Sequence, residues 1–114
     1  MHELTIAQSI LAIAEKALPP DAGGVVSAVQ VEVGALSSIE TDSLLFAFDT
    51  IKSGTLLEDA ALQINIINGQ AGCSNCHEIF QLNNYGDVCP RCGGYALKIL
   101  SGREMKVLSI VVEE

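Results

Sequence analysis

Four cysteines carry the plainest chemistry in this 114-residue sequence: Cys73-x2-Cys76, a gap of twelve residues, then Cys89-x2-Cys92. Two residues between cysteines let a tight turn aim both sulfurs at one ion. Two such turns facing each other supply four thiolates in a tetrahedron, the geometry zinc accepts. Gly72 before the first pair and Gly93-Gly94 after the second permit unusual backbone angles beside a metal. Four protein ligands complete a tetrahedral ion and leave no position for water or substrate, so the spacing points to a structural site rather than a catalytic one. The alternative without metal is four buried or reactive thiols.

Iron competes for the same ligands, because rubredoxin-type centres also use two Cys-x-x-Cys pairs and Cys89-Pro90-Arg91-Cys92-Gly93 has that character. The twelve-residue separation suits a short zinc hairpin better. The cysteines are paired and crowded into one segment instead of spread as a disulfide framework, a pattern that favours metal over disulfides in a chain that is not secreted.

The second constellation is the start of the chain. The amine of Met1, the amide nitrogen of His2 and the His2 ring nitrogen can close fused chelate rings around one ion, an in-plane set that suits square-planar nickel or copper. The Glu3 amide can join this set or replace the terminal amine. On these residues alone an exposed His on a frayed end explains the pattern better, since the stronger copper–nickel arrangement places His third. Glu3 reads either as a nickel ligand or as a carboxylate favouring the helix dipole. Glu40 reads either as an oxygen ligand or as the closing residue of a capping box, Ser37-x-x-Glu40. His77 directly follows a zinc ligand; it could replace a thiolate, couple the two metal sites, or sit exposed on the turn.

These residues must be held by the rest of the chain. Residues 4–18 predict an amphipathic helix with Ile6, Ile10, Ile13 and Ala17 on one face, Thr5 and Gln8 as a capping box, and Pro19-Pro20 as the stop. Val25–Val33 alternates as a half-buried strand. A second helix over about residues 41–52 places Leu44, Phe48 and Ile51 together, with Gly54 as its stop. Residues 60–67 alternate again, with Ala60, Leu62, Ile64 and Ile66 on one side. Asn68-Gly69 marks a turn, and residues 104–112 read as a third strand. Ile10, Leu44, Phe48, Ile64 and Val107 sit at core spacing.

The expected fold is α+β: a small mixed three-stranded sheet, two helices on one face, and a four-cysteine zinc module inserted between neighbouring strands. The strand–helix–strand run implies a right-handed crossover between parallel strands. The domain boundaries read as 1–70 with 103–114, and 71–102 for the module. The module's sizeable apolar groups are Ile79, Phe80, Leu82, Tyr85, Val88 and Tyr95. So small a segment needs its metal to fold, and zinc supplies about 10–16 kcal/mol in comparable peptides.

Composition narrows the function classes. With 49% hydrophobic residues a packed core is within reach, and the 4% aromatic content leaves it to Leu, Ile, Val and Ala. A net charge of -8 repels DNA or RNA, and the cysteine segment balances Glu78 and Asp87 against Arg91 and Lys98, with no basic stripe. No stretch is long enough to span a bilayer, and Met1-His2-Glu3 lacks the basic region of a signal peptide, which points to the cytoplasm. No Ser/His/Asp or open metal constellation stands out for an enzyme.

Taken together, Met1-His2-Glu3-Leu4, Gly34-Ala35-Leu36-Ser37-Ser38-Ile39-Glu40, the two Cys-x-x-Cys pairs and Ser101-Gly102-Arg103-Glu104-Met105 resemble, in this order, the HypA family of nickel chaperones for [NiFe]-hydrogenase maturation. The resemblance covers essentially the whole chain. It implies nickel at His2, with Glu3, Met1 and Glu40 as further candidate ligands, and zinc at Cys73, Cys76, Cys89 and Cys92. It also implies a HypB-type GTPase and the hydrogenase large-subunit precursor as partners, and no catalysis. Homodimer formation, including strand exchange at the inserted module, stays open. The rival readings are a zinc-ribbon interaction adaptor with no nickel role and a small iron electron carrier.

Overall fold

The computed structural model describes residues 3–18, 24–82 and 84–113, as two helices and six strands: α1 Glu3–Ala17, β1 Val25–Gly34, α2 Thr41–Ile51, β2 Ala61–Ile67, β3 Gln70–Cys73, β4 Ile79–Gln81, β5 Leu97–Ser101 and β6 Met105–Glu113. The strands form two three-stranded sheets, ordered β2-β1-β6 and β4-β3-β5. The α+β class with a mixed sheet is as expected. The chain divides into two compact units, Met1–Glu32 with Ile39–Asn65 and Lys106–Glu114, and Val33–Ser38 with Ile66–Met105. Among the described residues no helix is long and apolar enough to cross a membrane.

In the first unit, α1 opens on Glu3 and closes on Lys16, charges that suit the two ends of the helix dipole. The expected stop, Pro19-Pro20, lies outside the described residues. The buried stripe of α1 is Ala7, Ile10 and Ala14, whereas Ile13 is 48% exposed and Ala17 is exposed. The expected stripe of Ile6, Ile10, Ile13 and Ala17 therefore has the wrong phase: α1 packs against α2, and the small alanines face inward. Nor does Thr5 cap the helix, which already starts at Glu3; the Thr5 carbonyl instead accepts from Ser9 Oγ at 3.1 Å inside it.

α2 buries Leu44 and Phe48 and is capped by Glu40, whose carboxylate accepts from the Asp42 N–H at 3.2 Å. The Ser37–Glu40 capping box does not form as the sequence suggests, because Ser37 Oγ turns back to donate to the Gly34 carbonyl at 2.7 Å. At the other end the Lys52 N–H bonds the Phe48 carbonyl, and its ammonium donates to the Ala60 carbonyl at 2.8 Å.

The first sheet is mixed. Contacts of β1 with β2 advance together, from Gln30–Gln63 to Ala35–Ile67, while those with β6 run oppositely, from Ser27–Val111 to Gly34–Glu104. A polar ladder crosses all three strands: Ser109 Oγ donates to Gln30 Oε1 at 2.8 Å, and Gln30 Nε2 donates to Gln63 Oε1 at 3.1 Å. Val29, Val31, Val33, Leu57, Ala60, Ile10, Leu44 and Phe48 are all fully buried. Ile64 and Val107 are only half-buried, and Ile66, placed inward by simple alternation, is 52% exposed.

The second sheet has no counterpart in the sequence expectation. β3 pairs antiparallel with β4 (Gly72 with Ile79) and with β5 (Cys73 with Leu97), with an irregularity between Gln70 and Ala71. It carries a core of Leu36, Ala71 and Leu82, with Phe80, Leu97 and Ile99 packed on it. Of the apolar groups singled out in this segment only Phe80 and Leu82 join that core; Ile79, Tyr85, Val88 and Tyr95 are exposed. The loop Gly34–Ser38 is tied in by backbone bonds from Ala35 to Ile67 (2.8 Å) and from Leu36 to Gly102 (2.7 Å), and by the Tyr85 hydroxyl donating to the Leu36 carbonyl at 2.7 Å.

Candidate metal centre

Cys73, Cys76, Cys89 and Cys92 come together with all four sulfurs within 4.8 Å of one another. Sγ of Cys73 lies 3.6 Å from that of Cys92, and Sγ of Cys76 lies 3.6 Å from that of Cys89. A tetrahedron of zinc–sulfur bonds near 2.3 Å has edges of roughly 3.8 Å. The sulfurs thus lie at the spacing of thiolates sharing one ion, well beyond disulfide bonding distance, and all four cysteines are free. Cys73 and Cys89 are buried, Cys76 is half-buried and Cys92 exposed.

Each pair sits in a turn of the same construction. The Cys73 N–H donates to the Glu78 carbonyl (2.9 Å), and the His77 N–H returns to the Cys73 carbonyl (2.9 Å). In the second turn the Cys89 N–H donates to the Gly94 carbonyl (2.8 Å), and the Gly93 N–H returns to the Cys89 carbonyl (2.8 Å). His77 and Gly93 both adopt left-handed backbone angles, φ 63° and 74°. Cys73 ends β3, and Ser74 bonds the Ala96 carbonyl at 2.8 Å just before β5, so the first turn hangs from the second sheet.

Backbone amides around the sulfurs set their acidity. The Cys73 thiol is pulled down from 9.0 to about 7, first by the Cys76 N–H; burial opposes this, and the Asn75 N–H assists it. Cys76 is pushed up to about 12. The Glu78 N–H is its largest influence and lowers it, but burial and the neighbouring sulfurs of Cys89, Cys73 and Cys92 together prevail. Cys92 is raised as well: the Gly94 N–H pulls it down, and the Cys73 sulfur and burial outweigh it. Four thiolates this close repel one another, and a divalent cation between them removes that conflict.

The amides of Asn75, Glu78 and Gly94 are functional groups that a reading of side chains passes over. The signal for Glu78 and Gly94 lies in their place two residues after each Cys-x-x-Cys, and Asn75 lies within the first. His77 is exposed, on the outside of its turn.

Of the amino-terminal candidates, Met1 and His2 lie outside the described residues. Glu3 and Glu40 are brought together: the Glu40 N–H donates to Glu3 Oε2 at 3.1 Å, which sets the start of α1 against the cap of α2.

Residues 1–112 match the sequence model of the HypA family, described as hydrogenase/urease nickel incorporation, metallochaperone. The chain is 40% identical over 114 residues to the hydrogenase maturation factor HypA of Parabacteroides distasonis, covering 100% of this chain and 99% of that one. It is 36% identical over 113 residues to the protein of the same name from Geobacter sulfurreducens, covering 99% and 100%. Its fold matches the solution structure of the Ni metallochaperone HypA from Helicobacter pylori with a TM-score of 0.68 at 27% identity, over 98% of this chain and 97% of that one. A second HypA solution structure gives 0.70 at 28% identity, over 99% and 97%. The motifs, the fold and full-length likeness agree, and this chain belongs to the HypA family of nickel-incorporation metallochaperones.

Proposed function

We propose that the chain binds Ni(II) at its amino terminus through His2 and Glu3, with the Met1 amine and the Glu40 carboxylate as further donors, and delivers it during maturation of [NiFe]-hydrogenase. The observation that carries this reading is the Glu3–Glu40 contact: the Glu3 carboxylate, next in sequence to His2, accepts from the Glu40 N–H at the cap of α2, and the Glu40 carboxylate accepts from the Asp42 N–H. Nitrogen and oxygen donors on an accessible edge allow ligand exchange, which a delivery protein needs and a closed cage resists. Neutral imidazole is required, so nickel affinity falls as pH drops through about 6.5.

Zinc is the proposed occupant of Cys73, Cys76, Cys89 and Cys92. It would close the second unit's small core rather than perform catalysis, and the chain acts as a carrier, not an enzyme. Residues 1–70 with 103–114 then form the nickel-binding domain and 71–102 the zinc-binding domain. Free thiols in metal-binding pairs suit the reducing cytoplasm. A HypB-type GTPase and the hydrogenase large-subunit precursor are the proposed partners in delivery.

The test is calorimetric nickel titration of the zinc-loaded chain with its native, untagged start, beside His2→Ala. Binding lost in the variant supports the amino-terminal site. Equal binding by both removes it and favours an interaction adaptor that uses only the zinc module.

A further inference from the structure

The second sheet gives only one face to its core. Ala71 of β3, Phe80 of β4, and Leu97 and Ile99 of β5 gather there with Leu36 and Leu82. Alternation sends their neighbours to the other face. On that face the register sets Gly72, in the central strand, beside Ile79 of β4 and beside Lys98 of β5. Leu100 follows Lys98 on the same side of β5. Ile79 and Leu100 are 64% and 47% exposed, so two large aliphatic side chains flank a position that has none.

Nothing within the fold asks for glycine at position 72. Its backbone is not left-handed, and a Cβ there would meet only Leu100 Cδ1, at an ordinary 3.8 Å. Glycine in a central strand weakens the strand and often marks a place where another group approaches the backbone. Here it opens a shallow hollow of about 380 Å³. Gly72 is the floor, Ile79 and Leu100 are apolar walls, and Ser74, His77 and Lys98 stand around them. Among the described residues no carboxylate lines the hollow, and the Lys98 ammonium has no ion pair.

We propose that this hollow is a docking site for a partner protein that seats one large apolar side chain over Gly72, between Ile79 and Leu100, and sets an adjacent carboxylate against Lys98. Charge complementarity selects this occupant. The polar groups around the hollow are the Lys98 ammonium, the Ser74 hydroxyl and the His77 ring, and all three can donate to a carboxylate. Clefts for small molecules enclose most of the ligand, which a hollow this shallow does not; a side chain carried on a protein surface needs only its tip buried. The chain's net charge of -8 does not prevent the pairing. The second unit by itself balances Glu78, Asp87 and Glu104 against Arg91, Lys98 and Arg103, and charges beyond about 8 Å are screened at physiological salt. The inference is independent of the nickel reading.

The experiment follows backbone amide signals of the zinc-loaded full chain by nuclear magnetic resonance as blocked tetrapeptides Gly-X-Glu-Gly, with X Leu, Ile or Phe, are added, beside the matching Gly-X-Gln-Gly set. Gly72, Ile79, Lys98 and Leu100 should shift together with at least one of the Glu peptides. Gly72→Val fills the hollow with a residue that suits a strand, and should weaken that binding about tenfold or more. Lys98→Gln should weaken the Glu peptide about threefold, the size of an exposed ion pair, and leave its Gln counterpart unchanged. Lys106→Gln removes the same charge from an exposed position on the other sheet and should change neither. Zinc content and circular dichroism confirm that each variant is folded, and Gly72→Ala serves if Gly72→Val is not. The proposal is overturned if none of the peptides moves these signals at up to roughly ten millimolar, or if filling position 72 leaves binding intact. It is equally overturned if Lys98→Gln affects Glu and Gln peptides alike, or if Lys106→Gln weakens the Glu peptide as much as Lys98→Gln does.

Discussion

His77 and Gly93 hold the same place in two matching turns: each lies in the left-handed region, and each returns its N–H to the carbonyl of the first cysteine of its pair. A residue with a Cβ meets a penalty of about 1–2 kcal/mol there. A Cβ on Gly93 would meet nothing within 4 Å, so the cost of Gly93→Ala comes from backbone angle alone. Zinc affinity, read by competition with a chromophoric chelator, should fall about tenfold in Gly93→Ala. His77→Gly should bind zinc as tightly as wild type or tighter. Unchanged affinity in Gly93→Ala would show that the turn does not need its left-handed residue.

Gly34 and Gly102 pass closer than any side chain allows. A Cβ on Gly34 would lie 2.0 Å from the Gly102 carbonyl oxygen, and one on Gly102 would lie 2.5 Å from Gly69 Cα. These obstacles are backbone held by hydrogen bonds, so they cannot step aside as a flexible side chain would. Gly34→Ala and Gly102→Ala should each cost more than about 4 kcal/mol in urea unfolding, the range reserved for severe overpacking. Gly86→Ala, whose Cβ meets open space, should stay within about 0.5 kcal/mol. Comparable stability for all three would mean that the strands separate without cost at this crossing.

The shifts of Cys73 and Cys76 predict a contribution to the stability of the metal-free chain that is greatest near pH 9. Cys73 has its folded value lowered from 9.0 to about 7, so its contribution is present above pH 9 and is lost as pH falls through 7. Cys76 has its value raised to about 12; between 9 and 12 its folded form holds the proton more tightly, so stability falls as pH climbs through that window. Cys92 acts in the same sense as Cys76. Urea midpoints of metal-free protein should therefore rise from pH 7 to 9 and fall beyond it. Thiolate absorbance in the far ultraviolet should show an early step that Cys73→Ser removes. Stability flat across this range would count against the amide contacts to the Cys73 sulfur.

The clustering of the four cysteines was legible because its information is local. Two residues between cysteines describe a turn that no distant contact needs to define, and Gly93 after the second pair permits its left-handed angle. β1 and α2 were legible for a similar reason: Val29, Val31 and Val33, or Leu44 and Phe48, repeat long enough to show a period. The second sheet was hidden because β3 and β4 are four and three residues long, too short for alternation to register, and their pairing is set by residues far apart in sequence. The phase of α1 was hidden too. Isoleucine outranks alanine on any hydrophobicity scale, yet close packing against α2 selects Ala7 and Ala14 and leaves Ile13 outside. Ser37 could have capped α2 on sequence grounds; its bond to Gly34 reflects the tight turn at the end of β1.

Glu40 performs two separable tasks under the proposed function, and substitution can split them. Its carboxylate caps α2 through the Asp42 N–H, and its backbone amide holds Glu3. Glu40→Asn keeps a side-chain oxygen suited to an N-cap but removes the charge, so unfolding stability should stay within about 0.5 kcal/mol of wild type. Glu40→Ala removes the cap and should cost about 1 kcal/mol. Nickel follows charge and donor strength instead: a neutral amide is a poorer ligand than a carboxylate, so both variants should weaken nickel binding in the zinc-loaded chain, and by similar factors. Glu3→Gln keeps the acceptor for the Glu40 N–H and serves as the matching test on the other side of the contact. It should likewise preserve folding while lowering affinity. If Glu40→Asn and Glu3→Gln both bind nickel as wild type does, neither carboxylate is a ligand. The Glu3–Glu40 contact would then serve only to join the start of α1 to the cap of α2.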